Sequence, residues 1–260
     1  MMNYALVTGS SKGIGKAIAE DLAKRKYNLL LVARSEKLLQ DLAGEIMQKY
    51  AVEAKWLAID LSKKGAPLEV KNWVTQNNFP VSILINNAGY GLWGNFHELA
   101  LEDQNNMLQL NVLTLVDLTW LMIPLLLPHP KSYILNTGSL AGLQAVPTLN
   151  LYAASKALVN SFTRALRFEL KDTNISVSLL SPGSVRTDFV ERAGMHHMQK
   201  MAEKFSMSPE EIAEIAMKGM FSEKKEIMPG FVNQFSAAMV KILPKSLIEN
   251  LAGSAYKKKN

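Results

Sequence analysis

Cysteine is absent from this chain of 260 residues, so neither a disulfide nor a thiolate metal site is open to it. No apolar run long enough to span a bilayer stays free of charge; the nearest, residues 113–127, is interrupted by Asp117 and is too short. The opening MMNYALVTGS has neither the basic start nor the cleavage site of a secretory signal. Together these absences lead us to expect a soluble, cytoplasmic protein. No internal repeat or low-complexity linker divides the chain, so one domain over residues 1–260 is expected. Histidine is scarce, at 4 residues, and the adjacent His196 and His197 would point about 100° apart on a helix. With no carboxylate cluster beside them, no metal site is predicted. Net charge is also small. The +6 balance includes +4 (5 − 1) within residues 241–260, where Lys241, Lys245, Lys257, Lys258 and Lys259 face Glu249. The rest is nearly balanced, which excludes a nucleic-acid partner.

What is present is a regular alternation of apolar segments. Residues 4–8, 28–33, 54–59, 82–85, 133–136 and 175–180 read as buried strands, and between them 14–22, 36–50, 67–77, 101–127 and 151–170 carry helical spacing. Continuous apolar strands between helices predict an α/β fold, a doubly wound parallel sheet with helices on both faces. Pro124 is expected to bend or end the long helix. Residues 186–222 read as a lid whose second half is a helix beginning at Pro209. Beyond Pro229 and Gly230, two amphipathic stripes follow: Phe231, Phe235, Ala238, Met239, Ile242 and Leu243, then Leu247, Ile248 and Leu251. This C-terminal extension, about 230–256, requires a partner surface.

Three patterns carry chemistry. Between the first strand and first helix stands Thr8-Gly9-Ser10-Ser11-Lys12-Gly13-Ile14-Gly15, where glycines let backbone approach a pyrophosphate and the following helix N-terminus offers amides to it. At the end of the second strand, where an acidic residue would meet an unmodified adenosine ribose, stand Ala33 and Arg34. Arg34 with Lys12 suits the 2′-phosphate of NADP. The third pattern is Tyr152 and Lys156, four residues apart on one helix face and preceded by Ser139. A phenol with an ordinary pKa of about 10 must fall by about 3 units to work near neutrality, roughly 4 kcal/mol of phenolate stabilisation. A cation at about 4 Å, in an effective dielectric near 20, supplies that much.

With Asn86-Asn87-Ala88-Gly89, Asn111 and Pro182-Gly183-Ser184-Val185-Arg186-Thr187 at matching positions, the chain resembles the short-chain dehydrogenase/reductase family over about residues 3–228. The resemblance implies a single Rossmann-type domain, a sheet of about seven parallel strands, a nicotinamide cofactor and a homodimer or homotetramer. It makes Tyr152 the general acid that protonates a carbonyl oxygen, Lys156 the residue that lowers its pKa and holds the nicotinamide ribose, and Ser139 a hydrogen-bond donor to the substrate oxygen. Asn111 is expected to anchor a water that resupplies the proton. The cofactor residues so implied are Gly9, Ser10, Ser11, Lys12, Gly13, Ile14, Gly15, Arg34, Asp60, Leu61, Asn87, Ala88, Gly89, Tyr152, Lys156, Pro182, Gly183, Val185 and Thr187. Of these, Asp60 would meet the adenine amino group, the favoured reading, with a turn residue before Leu61 and Ser62 as the alternative.

The expected activity is NADPH-dependent interconversion of a carbonyl and an alcohol on an apolar or partly apolar small molecule. The walls, residues 140–150 and 187–207, carry few charges, and Met195, Met198, Met201 and Met207 suit an adaptable apolar pocket or ordinary packing. The alternative is a cofactor-binding sensor or scaffold without turnover, which has no chemical reason to keep Asn111, Ser139, Tyr152 and Lys156 together. For the C-terminal stripes, packing on a neighbouring subunit or over the substrate mouth is the favoured reading, ahead of contact with a membrane surface.

Overall fold

The computed structural model describes residues 3–186, 193 and 206–256. Its first half runs β1 (Tyr4–Thr8), α1 (Gly13–Lys24), β2 (Asn28–Ala33), α2 (Glu36–Tyr50), β3 (Ala54–Ala58), α3 (Ala66–Gln76), β4 (Val81–Asn86) and α4 (Leu101–Leu108). A π-helical turn, Gln109–Leu113, joins α4 to α5 (Thr114–Leu126). Then come β5 (Ser132–Thr137), a 3₁₀ turn at Leu140–Leu143, α6 (Asn150–Glu169), β6 (Ile175–Leu180), α7 (Pro209–Phe221), β7 (Glu226–Ile227), α8 (Phe231–Ile242) and α9 (Lys245–Tyr256).

Side chains in extended backbone alternate between faces, and here both faces are apolar. Ala5, Val7, Leu29, Leu31, Ile83 and Ile85 fall on one side with α1, α2 and α7; Tyr4, Leu6, Leu30, Val32 and Leu84 fall on the other with α3, α5 and α6. Each fully buried leucine or isoleucine contributes about 2 kcal/mol. The strands pair in the order β3-β2-β1-β4-β5-β6-β7, all parallel. This is the doubly wound Rossmann-type sheet that the alternation predicts. Its order reverses between β1 and β4, and in such sheets ligands bind at the carboxyl ends of the strands beside the reversal.

Within residues 101–127, α5 ends at Leu126, two residues after Pro124. A further irregularity is the π turn around Asn111, which widens the helix by one residue. By length and composition Leu101–Leu126 could cross a membrane, but Leu115, Leu118, Met122 and Leu126 are packed in the core and Gln104, Asn111 and Thr119 are buried and hydrogen-bonded. It is a core helix.

The lid boundary also moves. Ser208 caps α7 in a reciprocal capping box with Glu211, and Ile212, Ala213, Ala216, Met217 and Met220 bury against the sheet beside α1. Residues 209–221 therefore belong to the core layer, because their apolar stripe matches the sheet face. The remaining lid residues 187–192 and 194–205, with Thr187, Met195, His196, His197, Met198 and Met201, lie outside the described residues.

Candidate active site

Every loop that the sequence singles out leaves the carboxyl edge of a strand: 9–15 after β1, Arg34 after β2, Asp60 after β3, Asn87 to Gly89 after β4, Ser139 after β5 and Pro182 with Gly183 after β6. The β1 and β4 loops are tied together. Thr8 Oγ1 donates to the Ile85 carbonyl at 3.1 Å and accepts from the backbone amides of Asn87 at 2.9 Å and Ala88 at 3.1 Å. Asn87 Nδ2 donates back to the Thr8 and Gly9 carbonyls at 3.1 and 3.3 Å. Gly9 and Gly13 adopt φ of +65° and +55°, which only glycine takes without strain. A Cβ on Gly15 would lie 2.2 Å from the Gly9 carbonyl oxygen. The glycines thus let α1 start directly against the turn. No side chain caps the N-terminus of α1 and its first turn holds no acidic residue, so its positive end faces the crevice. Such a cradle fits a dinucleotide pyrophosphate.

Within this loop Ser10 turns inward: it is fully buried, and its amide and hydroxyl both approach the Val32 carbonyl. Lys12 is exposed at the helix start, Ser11, Gly13 and Ile14 are half-buried, and Arg34 is exposed at the end of β2. Asp60 Oδ1 accepts from the amide and hydroxyl of Ser62 at 3.0 and 2.7 Å, the turn geometry that its sequence context allowed. Burial pushes the Asp60 carboxyl up, but the Ser62 hydrogen bonds and the charges of Arg34 and Lys63 outweigh it and hold the group below the usual carboxylate range. The Leu61 side chain is in the core, and its carbonyl accepts from Thr114 Oγ1 at 2.6 Å. Pro182 accepts from the Leu140 amide at 3.1 Å, which ties the β6 loop to the segment after Ser139. Val185 pairs with Met207 in an isolated bridge.

The carboxyl edge of β5 and the start of α6 bring the acid–base residues together. Tyr152 and Lys156 lie one turn apart near the start of α6, both buried. Lys156 Nζ donates to the Thr137 carbonyl at 2.8 Å and sits 5.9 Å from the centre of the Tyr152 ring. Ser139 Oγ accepts from the Ala141 amide at 3.1 Å, leaving its proton for another acceptor. Asn111, displaced inward by the π turn, exchanges hydrogen bonds with the backbone of Tyr90 at 2.9 and 3.0 Å and reaches Ser155 Oγ at 3.3 Å; that hydroxyl donates to the Tyr152 carbonyl at 2.7 Å. Asn111 therefore braces the helical turn bearing Tyr152. It also approaches Lys156: a Cβ on Gly89 would lie 2.9 Å from Asn111 Oδ1 and 3.5 Å from Lys156 Nζ.

Burial pushes the Lys156 ammonium down to about 8 from its ordinary 10.5. Between those values the unfolded chain holds the proton and the folded chain releases it, so stability rises with pH across that window and is lowest below pH 8. The penalty of the buried charge is about 3 kcal/mol. Lys156→Met is therefore expected to melt above wild type at pH 7 and to lose that advantage as pH nears 10.5, measured by thermal denaturation without cofactor.

Several contributors escaped the sequence reading. Tyr152 stands in a small apolar cluster with Met107, Val146, Leu149, Ala153 and Ala193, flanked by Tyr90, Leu92 and Trp93. The aromatics after Gly89 were a visible signal, but nothing local says that they fold back onto α6. Asn160, one turn beyond Lys156, donates from Nδ2 to the Ser139 carbonyl at 3.3 Å. Thr137 acts through a carbonyl that no motif records, while Thr8, the first residue of the glycine motif, acts through its hydroxyl.

A nicotinamide-dependent oxidoreductase of Rossmann type, acting at a CH–OH group or its carbonyl, is the class that this fold and site define. The family model for short chain dehydrogenases matches residues 3–193, and the chain belongs to that family. Over 252 residues it is 31% identical to the very-long-chain 3-oxoacyl-CoA reductase of the duck Anas platyrhynchos, covering 95% of this chain and 78% of that one. It is 34% identical to the mouse protein of the same name over 188 residues, 71% of this chain but 60% of that one. A short-chain dehydrogenase from Sphingobium yanoikuyae in complex with NADPH superposes with a TM-score of 0.83 at 27% identity, covering 95% of each chain.

Proposed function

We propose that this protein is an NADPH-dependent reductase of an oxo group on an apolar, acyl-type molecule. The observation that carries this reading is the setting of Tyr152, with apolar neighbours around its ring, a buried ammonium one turn below it and Ser139 on the adjacent loop. NADPH, when bound, supplies the hydride. The chain supplies the rest: the Tyr152 hydroxyl gives its proton to the substrate oxygen, Ser139 donates a hydrogen bond to the same oxygen, and Lys156 stabilises the phenolate. Met107, Val146, Leu149, Leu92 and Trp93 exclude water and favour an apolar chain over a charged sugar phosphate. The name of the duck and mouse relatives supports a 3-oxoacyl thioester among such substrates. Asn111, whose Oδ1 lies beside Gly89 as Lys156 Nζ does, would anchor the water that connects Lys156 to solvent for proton resupply. Solvent-exposed Leu113, Trp120 and Leu127, on α5 and at its two ends, support a homodimer or homotetramer.

The test is NADPH consumption over ketones and 3-oxoacyl thioesters of graded chain length. Turnover rising with chain length supports the reading; consumption with none of them sinks it. Cofactor choice has a separate check. Arg34 and Lys12 stand exposed at the two loops where an adenosine 2′-phosphate would lie, and a bidentate guanidinium contact contributes about 2 kcal/mol. Arg34→Asp is expected to weaken NADPH binding by about 30-fold or more while leaving NADH nearly unchanged, in fluorescence titrations. Equal losses for both would remove the phosphate assignment.

A further inference from the structure

Helix α8 is seated the wrong way round for a helix of a globular core. Its residues Phe231, Phe235, Ala238 and Ile242, spaced i, i+4, i+7 and i+11, share one face, and an amphipathic helix ordinarily turns such a face inward. Here all four are exposed, with Phe231, Phe235 and Ile242 at 81%, 60% and 77%. The opposite face holds the helix in place. Ala237 is buried, and Asn233 bonds through Nδ2 to the Pro229 carbonyl at 2.6 Å and packs so tightly on Gly183 that a Cβ there would lie 2.5 Å from its Oδ1. Val232 beside the stripe and Leu247 on α9 add further exposed apolar surface.

We propose that the α8–α9 face docks on an anionic lipid bilayer, its phenylalanines and Ile242 entering the headgroup boundary. Charge decides between occupants. In sequence the stripe is followed by a basic tail, residues 241–260, with Lys241, Lys245, Lys257, Lys258 and Lys259 against Glu249. Exposed aromatics followed by an excess of lysine suit an anionic surface. The other exposed apolar stripe, Leu113 and Trp120 on the π turn and α5, carries Asp117 between them and no lysine, and suits a second copy of the chain instead. The location adds a consequence that rests on the proposed acyl substrate. Gly183, on which Asn233 packs, follows Pro182, whose carbonyl holds the segment after Ser139. A bilayer on α8 therefore lies beside the cleft, where an apolar substrate dissolved in lipid would enter.

The test is co-sedimentation of the full chain with vesicles of phosphatidylcholine, alone or carrying phosphatidylglycerol. Binding is expected to be about tenfold stronger with the anionic lipid, to fall with salt, and to be lost in the triple variant Phe231→Ser, Phe235→Ser, Ile242→Ser. Turnover of a water-soluble ketone by that variant, measured without vesicles, verifies that it is folded. No binding by wild type, or equal binding by the variant, overturns the proposal. So does a triple variant whose only change is dissociation of an oligomer in light scattering, which assigns the face to a second copy. Vesicle binding with a failed carbonyl panel would remove the substrate reading alone.

Discussion

Tyr152→Phe is expected to lower kcat by about 10²- to 10⁴-fold, the range for loss of a positioned general acid. The substitution removes one oxygen from a ring that otherwise packs against Met107, Val146, Leu149 and Ala153, so the cleft keeps its shape. NADPH affinity, melting temperature and oligomeric state should stay near those of wild type. That pattern separates loss of proton delivery from loss of structure. The measurement is steady-state reduction of any accepted carbonyl together with cofactor titration; undiminished kcat would overturn the role given to Tyr152.

Gly15→Ala carries the second large effect, on stability and cofactor binding together. The new methyl would lie 2.2 Å from the Gly9 carbonyl oxygen, 2.5 Å from Asn87 Nδ2 and 2.8 Å from the Gly9 carbonyl carbon. Two of those atoms are backbone and the third is held by hydrogen bonds to Thr8 and Gly9, so nothing can yield cheaply. Overpacking of this kind costs about 3 kcal/mol, which lowers the melting temperature of a chain of this size by roughly 6 °C or more. Because the shift prises the β1 loop from the β4 loop, NADPH binding should fall as well. Gly44→Ala is the control of opposite sign: it lies inside α2, exposed and with no atom within 4 Å of its added methyl, and alanine there should stabilise the helix by about 1 kcal/mol. If both variants melt alike, the loop contact does not carry the strain.

The strands were legible because a parallel sheet covered on both faces demands nearly continuous apolar runs, and 28–33 and 175–180 are such runs. The glycine loop, Asn87, Ser139, Tyr152 and Lys156 were legible through spacing and through the family resemblance. Less visible was anything that depends on one loop touching another. The two-residue strand Glu226–Ile227 is too short for periodicity to register. The π turn at Asn111 has no local signature, and the partner that its side chain meets there, the Tyr90 backbone, is 21 residues away in sequence. The helix at 209–221 reads as part of the lid by its neighbours in sequence, and only its packing beside α1 makes it core.

The C-terminal stripe shows the same division most sharply. From sequence, residues 231–242 form an amphipathic helix that must meet some surface, since an apolar stripe at helical spacing is a local property of the chain. Which way that stripe points is not local. Asn233 against Gly183 fixes the rotation of α8, and a few ångströms of packing by the polar face leave Phe231, Phe235 and Ile242 in solvent. Likewise, sequence alone determined that a phenol and an ammonium share one helix face, while the tertiary fold decided the working state of the pair. Burial of Lys156, and nothing in the order of residues, draws its proton affinity down toward neutrality. Spacing along a chain sets which groups can face the same way; only the surrounding packing sets the dielectric and the partners that they meet.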